Sequence, residues 1–283
     1  MTQQQTTKIG IFKCGNIASS LIFELLLDEL ADRQDIKTRT ITTGSKMSVE
    51  DIEEALPKLF EFAPDLLILI SPNTSLPGPT KAREKLSNTR IPSIIISDAP
   101  AKRAKSDIEK QGLGYIIILG DPLIGARREF LDPTEMAIFN SNIIKVLAIT
   151  GVYRIIHQEI DKLITAIKKS SPPVLPKLVI DISTIRDTSN FTNPYAKAKA
   201  MAAYELLEKI AEINFQACFT EKDCKKYVPL VASAHEIAQA AAKLAEEARE
   251  IEKTSDTVLR NPHAKDGRIK TKTRLMSPPT AEE

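Results

Sequence analysis

The chain has 283 residues, 42% of them hydrophobic and 27% charged, with a net charge of +2. That is the profile of a globular protein long enough for two cores, and its near-neutral balance gives no electrostatic reason to expect a nucleic-acid partner. No apolar run approaches the roughly 20 residues that span a bilayer, and Met1-Thr2-Gln3-Gln4-Gln5 lacks the basic and apolar regions of a signal peptide, so a cytoplasmic protein without membrane contact is expected.

The first predicted unit is a short apolar strand over 9–12, the loop Lys13-Cys14-Gly15-Asn16, and an amphipathic helix through Leu21, Leu25, Leu26 and Leu30. Such a helix start offers free backbone N–H groups and a positive dipole end to an anion. The dinucleotide fingerprint G-x-G-x-x-G is absent, because Gly10 lies inside the strand, Gly15 stands alone in the loop, and Ala18 and Ser19 follow. A doubly wound fold is therefore expected and ordinary NAD binding is not.

Further strands are predicted over 37–42, 66–70, 93–97 and 115–119, alternating with helical segments in the rhythm of a parallel sheet. The runs 66–70, 94–96 and 116–118 are apolar without alternation, which predicts central strands covered on both faces. The strands exit through Lys13-Cys14-Gly15-Asn16, Thr43-Gly44-Ser45-Lys46, Ser71-Pro72-Asn73-Thr74, Asp98-Ala99-Pro100 and Gly120-Asp121-Pro122. Ligands of open α/β sheets bind outside the carboxyl ends of the strands, so small, polar and Pro-fixed residues gathered on one edge mark the expected site. Taken singly, each loop reads equally well as a plain turn.

After residue 130 the pattern turns helical. Asp132-Pro133-Thr134-Glu135 supplies an N-cap acid, Pro at the first helical position and an acid in the first turn. Met136, Phe139, Ile143, Leu147, Ile156, Ile160, Leu163 and Ile167 follow near helical spacing, with Thr150-Gly151 as an expected break or bend. Asn193-Pro194 starts a second helix through 196–213, and Thr220-Glu221-Lys222-Asp223 a third that runs to about Lys253. The third carries Ala234, Ala238, Ala241, Ala245 and Ala248, a small-residue stripe suited to close approach by another helix of this chain or of a second subunit. A strand over 177–181 and alternation over 268–275 predict a small terminal sheet joining the two. The expected organisation is a Rossmann-like α/β parallel-sheet domain over 1–130, a helical bundle over 131–255 with a short strand near 178–181, and a C-terminal segment over 256–283 with a small β-sheet.

The catalytic inventory is sparse. His157, His235 and His263 fall in no metal-ligand pattern, and neither a G-x-S-x-G elbow nor a P-loop is present. Cys14, Cys218 and Cys224 are odd in number without C-x-x-C spacing, so neither disulfides nor a zinc site are indicated. Cys14 sits where a helix N-terminus lowers a thiol pKa, but a small residue that lets a ligand near the backbone is the favoured reading. Arg127-Arg128 and the tail cations Arg260, Lys265, Arg268, Lys270, Lys272 and Arg274 read as solvated surface or as partners of an anionic small molecule.

Several ordered stretches together carry a family resemblance. They are Lys13-Cys14-Gly15-Asn16, Ser71-Pro72-Asn73, Gln111-Gly112-Leu113-Gly114-Tyr115, the run from Asp121-Pro122 through Arg127-Arg128-Glu129-Phe130 to Asp132-Pro133, Asn193-Pro194-Tyr195-Ala196-Lys197, Val231-Ala232-Ser233-Ala234-His235-Glu236, and the segment around His263. Over about 8–276 the chain resembles the methylenetetrahydromethanopterin dehydrogenases that use the deazaflavin coenzyme F420. Ala18-Ser19-Ser20 departs from the Gly-containing loop expected there.

The resemblance implies reversible hydride transfer between the methylene carbon of methylenetetrahydromethanopterin and C5 of the 8-hydroxy-5-deazaflavin, in archaeal one-carbon metabolism and methanogenesis. It implies a homohexamer built as a trimer of dimers. The methenyl cation is stabilised by its own ring nitrogens, so no catalytic acid, base or metal is expected, and the protein's work is to place two flat rings with their reacting carbons about 3 to 3.5 Å apart. By topology the deazaflavin falls to Lys13, Cys14, Gly15, Asn16, Ser71, Pro72, Asn73, Asp98 and Ala99, and the pterin to Asp121, Arg128, Asn140, Tyr153, His263 and Arg268. Another deazaflavin- or pterin-dependent oxidoreductase and a non-catalytic ligand-binding regulator are the alternatives.

Overall fold

The computed structural model describes residues 6–27, 29–122 and 129–281. Its first part alternates strictly: β1 (Thr7–Lys13), α1 (Ala18–Leu27), β2 (Ile36–Thr42), α2 (Val49–Phe60), β3 (Leu66–Ser71), α3 (Pro77–Ser87), β4 (Ser93–Asp98), a 3-10 turn (Ala99–Ala104), α4 (Lys105–Lys110) and β5 (Gly114–Ile118). Then follow α5 (Pro133–Thr150), α6 (Val152–Lys168), β6 (Lys177–Ile180), α7 (Ile182–Thr188), α8 (Pro194–Phe215), a π-turn (Gln216–Thr220), α9 (Cys224–Ser255) and the short strands β7 (Lys270–Thr271) and β8 (Thr280–Ala281).

Six strands form one parallel sheet in the order β2-β1-β3-β4-β5-β6. The direction of travel reverses between β1 and β3, which makes their carboxyl ends the topological switch. As the unbroken apolar runs predict, β3, β4 and β5 are buried along their whole length. Because strand side chains alternate between faces, Leu66, Ile68, Ile70, Ile94, Ile96, Ile116 and Ile118 join a core with α1, α5, α6, α8 and α9. Leu67, Leu69, Ile95 and Ile117 face the other way, onto Ile52, Leu56 and Leu59 of α2 and Ala82 and Leu86 of α3.

The strand expected near 178–181 does not belong to the bundle or to a terminal sheet. It is β6, paired parallel to β5 from Tyr115↔Lys177 to Ile118↔Ile180. A parallel neighbour requires a crossover, and α5 with α6 is that crossover, so the sheet begun before residue 130 is completed after it. The small sheet exists without this strand: β7 pairs antiparallel with β8, and bridges Arg260↔Lys272 and His263↔Ile269 fold the same segment back on itself.

Helix boundaries follow local chemistry. Asp132 caps α5 by accepting from the N–H groups of Thr134 and Glu135, and Asn193 caps α8 in the same way. Gly151 takes φ +93°, a left-handed conformation that suits glycine, and the chain bends by 67° between α5 and α6. Among the described residues no single helix is long and apolar enough to cross a membrane. The alanine stripe of α9 is consumed inside the chain: Ala234, Ala238, Ala241, Ala245 and Ala248 are all fully buried, and α9 packs on α8 and α5.

Tyr204 of α8 locks bundle to sheet. Fully buried, its hydroxyl donates to Ile180 O (2.9 Å) and accepts from Gly120 N–H (3.3 Å), joining the ends of β6 and β5. Replacing Tyr204 by Phe keeps the ring but strands a carbonyl and an N–H, and is expected to cost about 1–3 kcal/mol. Urea or guanidinium unfolding measures this, and unchanged stability would rule the lock out.

Candidate active site

At the switch the loops are drawn tight. Cys14 N–H donates to Ile70 O (3.0 Å) and Gly15 N–H to Gly44 O (2.9 Å), so the exits of β1, β2 and β3 pack together. Gly15 has φ +75°, and a Cβ there would stand 2.6 Å from Met47 Sδ and 2.8 Å from Pro72 Cδ. Only glycine meets both demands.

The opening lies one step along the edge. Met47, Pro72, Asn73, Leu76, Asp98 and Pro100 face Ala211, Phe215 and Phe219 across a narrow groove. At Pro100, Ala211 and Phe215 it runs into a wider one of about 980 Å³ that is also lined by Lys102, Arg103, Glu208 and Glu212. One wall is therefore the sheet edge, and the other is the last turn of α8 with the π-turn after it. Phe215 and Phe219 stand with ring centroids 5.5 Å apart and remain largely exposed, while Arg103 lies 5.8 Å from the Phe215 centroid.

Of the residues predicted for the deazaflavin, Pro72, Asn73, Asp98 and Ala99 line this groove system. Asn73 Oδ1 accepts from Ser75 N–H and Asp98 Oδ1 from Ala99 N–H, which fixes both loops. Gly15 supports the groove from behind through Pro72 and Met47, and Asn16 is half-buried in the same loop. Lys13 is instead committed to α1, its Nζ 3.0 Å from both Glu24 Oε1 and Ser20 O. Cys14 and Ser71 are fully buried. Burial pushes the Cys14 thiol up to about 12, only partly offset by Ser71, so it is a neutral packing group rather than a nucleophile.

The residues predicted for the pterin divide. Asp121, fully buried, accepts from Ala18 N–H (2.8 Å) and Ser19 N–H (3.2 Å) at the start of α1. Burial raises its carboxyl to about 6 while those bonds resist. Tyr153 is buried nearby, and its phenol is raised by burial and by the Asp121 charge. Asn140 is buried and its Nδ2 donates to Met136 O of its own helix (2.7 Å). Arg268 is exposed and paired with Asp266 (2.7 Å). Arg128 lies outside the described residues.

His263 is buried between two carboxylates, Nδ1 to Glu29 at 2.9 Å and Nε2 to Asp161 at 3.1 Å, and its backbone N–H also donates to Glu29. Burial by itself would depress its pKa, but the bonds to Asp161 and Glu29 outweigh this and hold it at about 9. His157 lies beside it, ring centroids 4.6 Å apart, and burial depresses its pKa. Glu29, His157 and His263 present ligand atoms within 4.8 Å of one another. Both nitrogens of His263 are already bonded to carboxylates, as an imidazolium requires, so the group is an ion-pair network rather than a metal cage. Tyr153, His157 and Asp161 line a cleft of about 1230 Å³ separate from the groove.

Residue-by-residue reading missed the far wall of the groove. Phe215 and Phe219, four positions apart at a helix end where polar residues are usual, were its available signal.

Fold and site together define an open parallel α/β protein with a groove beside the switch point, walled on its second side by its own helical bundle. The family model described as methylene-5,6,7,8-tetrahydromethanopterin dehydrogenase matches residues 7–280, and the chain belongs to that family. It is 55% identical over 272 residues to the F420-dependent methylenetetrahydromethanopterin dehydrogenase of Methanothermobacter thermautotrophicus, covering 96% of this chain and 99% of the relative. The enzyme of that name from Archaeoglobus fulgidus is 54% identical, with 96% and 98% covered. A solved structure of an F420-dependent methylene-tetrahydromethanopterin dehydrogenase, in complex with methylene-tetrahydromethanopterin and coenzyme F420, superposes with a TM-score of 0.93 at 47% identity, covering 97% of this chain and 100% of that one.

The His263 network predicts a pH-dependent stability term. An imidazole with an ordinary pKa near 6.5 when unfolded and about 9 when folded binds more protons in the native state. Its stabilisation, about 3 kcal/mol, is complete below pH 6.5 and is lost as the pH rises through 9. The stability difference between the protein and His263→Gln, followed by chemical denaturation from pH 6 to pH 10, should shrink by that order; a pH-independent difference would refute the charged assignment.

Proposed function

We infer that the chain catalyses reversible hydride transfer between methylenetetrahydromethanopterin and coenzyme F420, yielding the methenyl compound and the reduced coenzyme, in archaeal one-carbon metabolism. The observation that carries this is the match over 97% of the chain to an enzyme that holds both molecules. The residues fit the deazaflavin: the groove is a slot between Pro72 and Leu76 on one side and Phe215 and Phe219 on the other, suited to a flat ring, with Lys102 and Arg103 toward its wide end for an anionic tail. When bound, the deazaflavin supplies the carbon that exchanges hydride.

The chain's own contribution is placement. The loop after β1 is pinned to the exits of β2 and β3 by backbone bonds, and the loops after β3 and β4 are braced internally by Asn73 and Asp98, so the sheet-side wall is preformed. Among the described residues no histidine lines the groove, and the Cys14 thiol behind it is held neutral by burial. The reaction needs no proton transfer at the carbon, and orientation in a preorganised slot is the source of rate.

For assembly we favour a homohexamer built as a trimer of dimers. With the α9 stripe buried inside the chain, support comes from the exposed apolar side chains Leu21 and Leu25 of α1, 50% and 70% exposed, and Met136 and Ile138 of α5, which a second copy would cover. Light scattering at assay concentration should give six times the monomer mass, and a fully active monomer would exclude it.

Anaerobic mixing of the protein with methylenetetrahydromethanopterin and oxidised F420 should bleach the deazaflavin absorbance, whereas NAD or NADP should not substitute. Cys14→Ser, His157→Ala and His235→Ala should each retain measurable transfer in single-turnover kinetics. A loss of about 10²- to 10⁴-fold in the chemical step, with both ligands still bound normally, would identify a general base and overturn the account by orientation.

A further inference from the structure

The bend between α5 and α6 opens a second, small cleft that shares no lining residue with the groove. Arg154, Arg249 and Arg260 all line it, and Arg154 and Arg260 also border the larger cleft beyond, where Lys272 stands. Three elements distant in sequence, α6, α9 and the C-terminal segment, thus bring their guanidinium groups to one place.

The arginines are positioned. The Arg154 head folds over Gly151, where a Cβ would stand 3.2 Å from its Nη2, and the same Nη2 donates to the Thr188 carbonyl. Arg260 is fixed by its backbone pairing with Lys272 (3.0 and 2.9 Å), and its Nη1 donates to Leu259 O. These bonds to carbonyls supply no counter-charge of their own. Among the described residues neither arginine has a carboxylate within ion-pair distance. Glu252, the acid of this cleft, is committed to Asn193 N–H (3.0 Å) and to the hydroxyls of Thr192 and Thr257. Burial and the Arg260 charge both press the Arg154 pKa downward, and burial and Arg249 do the same to Arg260 against a smaller opposing pull from the Glu252 charge. Like charges converge here at a cost, on side chains that have five N–H donors each and have spent few of them.

We propose that this cleft is a binding site for a phosphate-class dianion, bridged by Arg154 and Arg260, with Lys272 at the rim and Arg249, itself 3.6 Å from Glu250, beside it. A multiply charged oxyanion relieves the mutual repulsion and takes up the planar donor forks in a way that a single carboxylate cannot.

Pyrophosphate titrated calorimetrically into the full-length protein at low ionic strength tests this. Saturable binding is expected, weakened about tenfold or more by Arg154→Gln and by Arg260→Gln, and unchanged by Arg90→Gln on an exposed loop elsewhere. Thermal melts of the variants control for folding, and Arg260→Gln, whose side chain holds only its neighbour's carbonyl, covers the case in which Arg154→Gln unfolds. In the hydride-transfer assay, a rise in KM for one substrate on adding pyrophosphate would mark the site as the seat of that substrate's own phosphate; no effect on either KM would mark a separate anion. Absence of binding, or equal binding by all four proteins, overturns the proposal. So does a fall in assembly mass in the two site variants without pyrophosphate binding, which would make the arginines subunit contacts.

Discussion

Strands β3, β4 and β5 have no face open to water, and every other feature of the architecture answers to that. At about 25 cal/mol per Å² of apolar surface removed from water, a sheet of this kind must be covered twice. Helices α2, α3 and α4 cover one side, while α1 and the whole later bundle cover the other. The bundle is therefore the second layer of the sheet rather than an appendage, and β6, reached through α5 and α6, completes the sheet it covers. With both faces occupied, the strand ends are where polar side chains and an opening meet.

That geometry explains why the site is lean in chemistry. The switch-point loops are packed so closely that Gly15 has no room for a side chain and Cys14 has no contact with water. A wall this rigid suits a reaction whose cation is stabilised within the substrate, since the remaining requirement is that two rings meet at the right distance and angle. Polar residues behind the wall, Lys13 and Ser71 among them, serve the scaffold. What reaches the groove is mostly apolar, with Asn73 and Asp98 as its polar side chains and the aromatic pair at the end of α8 opposite.

Buried charges tie parts of the chain that periodicity alone would leave independent. Asp121 joins the exit of β5 to the start of α1, Asp35 holds Arg33 at 2.7 Å and Lys168 of α6 at 2.6 Å, and His263 clamps the C-terminal segment to Glu29 and Asp161. Such contacts contribute little net stability once desolvation is counted, but leaving one partner alone is expensive, so they specify position. The C-terminal segment, with its two-residue strands, relies on this. Its small hydrophobic content could not fix it otherwise.

Strands β1 to β5, the Asp132 and Asn193 caps and the Gly151 bend were legible in the sequence because each rests on features within a few residues: a short apolar run between turns, a side chain reaching its own backbone, a glycine tolerating positive φ. Ordered stretches from Lys13 to His263 likewise carried the family. Tertiary structure alone decided that 177–180 completes the main sheet, that the alanine stripe faces α8 and α5, that Lys13 turns to Glu24, and that Phe215 and Phe219 close a groove begun at Pro72. Each of these joins residues far apart in the chain, and a pattern with a period of two or 3.6 residues states which face is apolar without stating what will cover it.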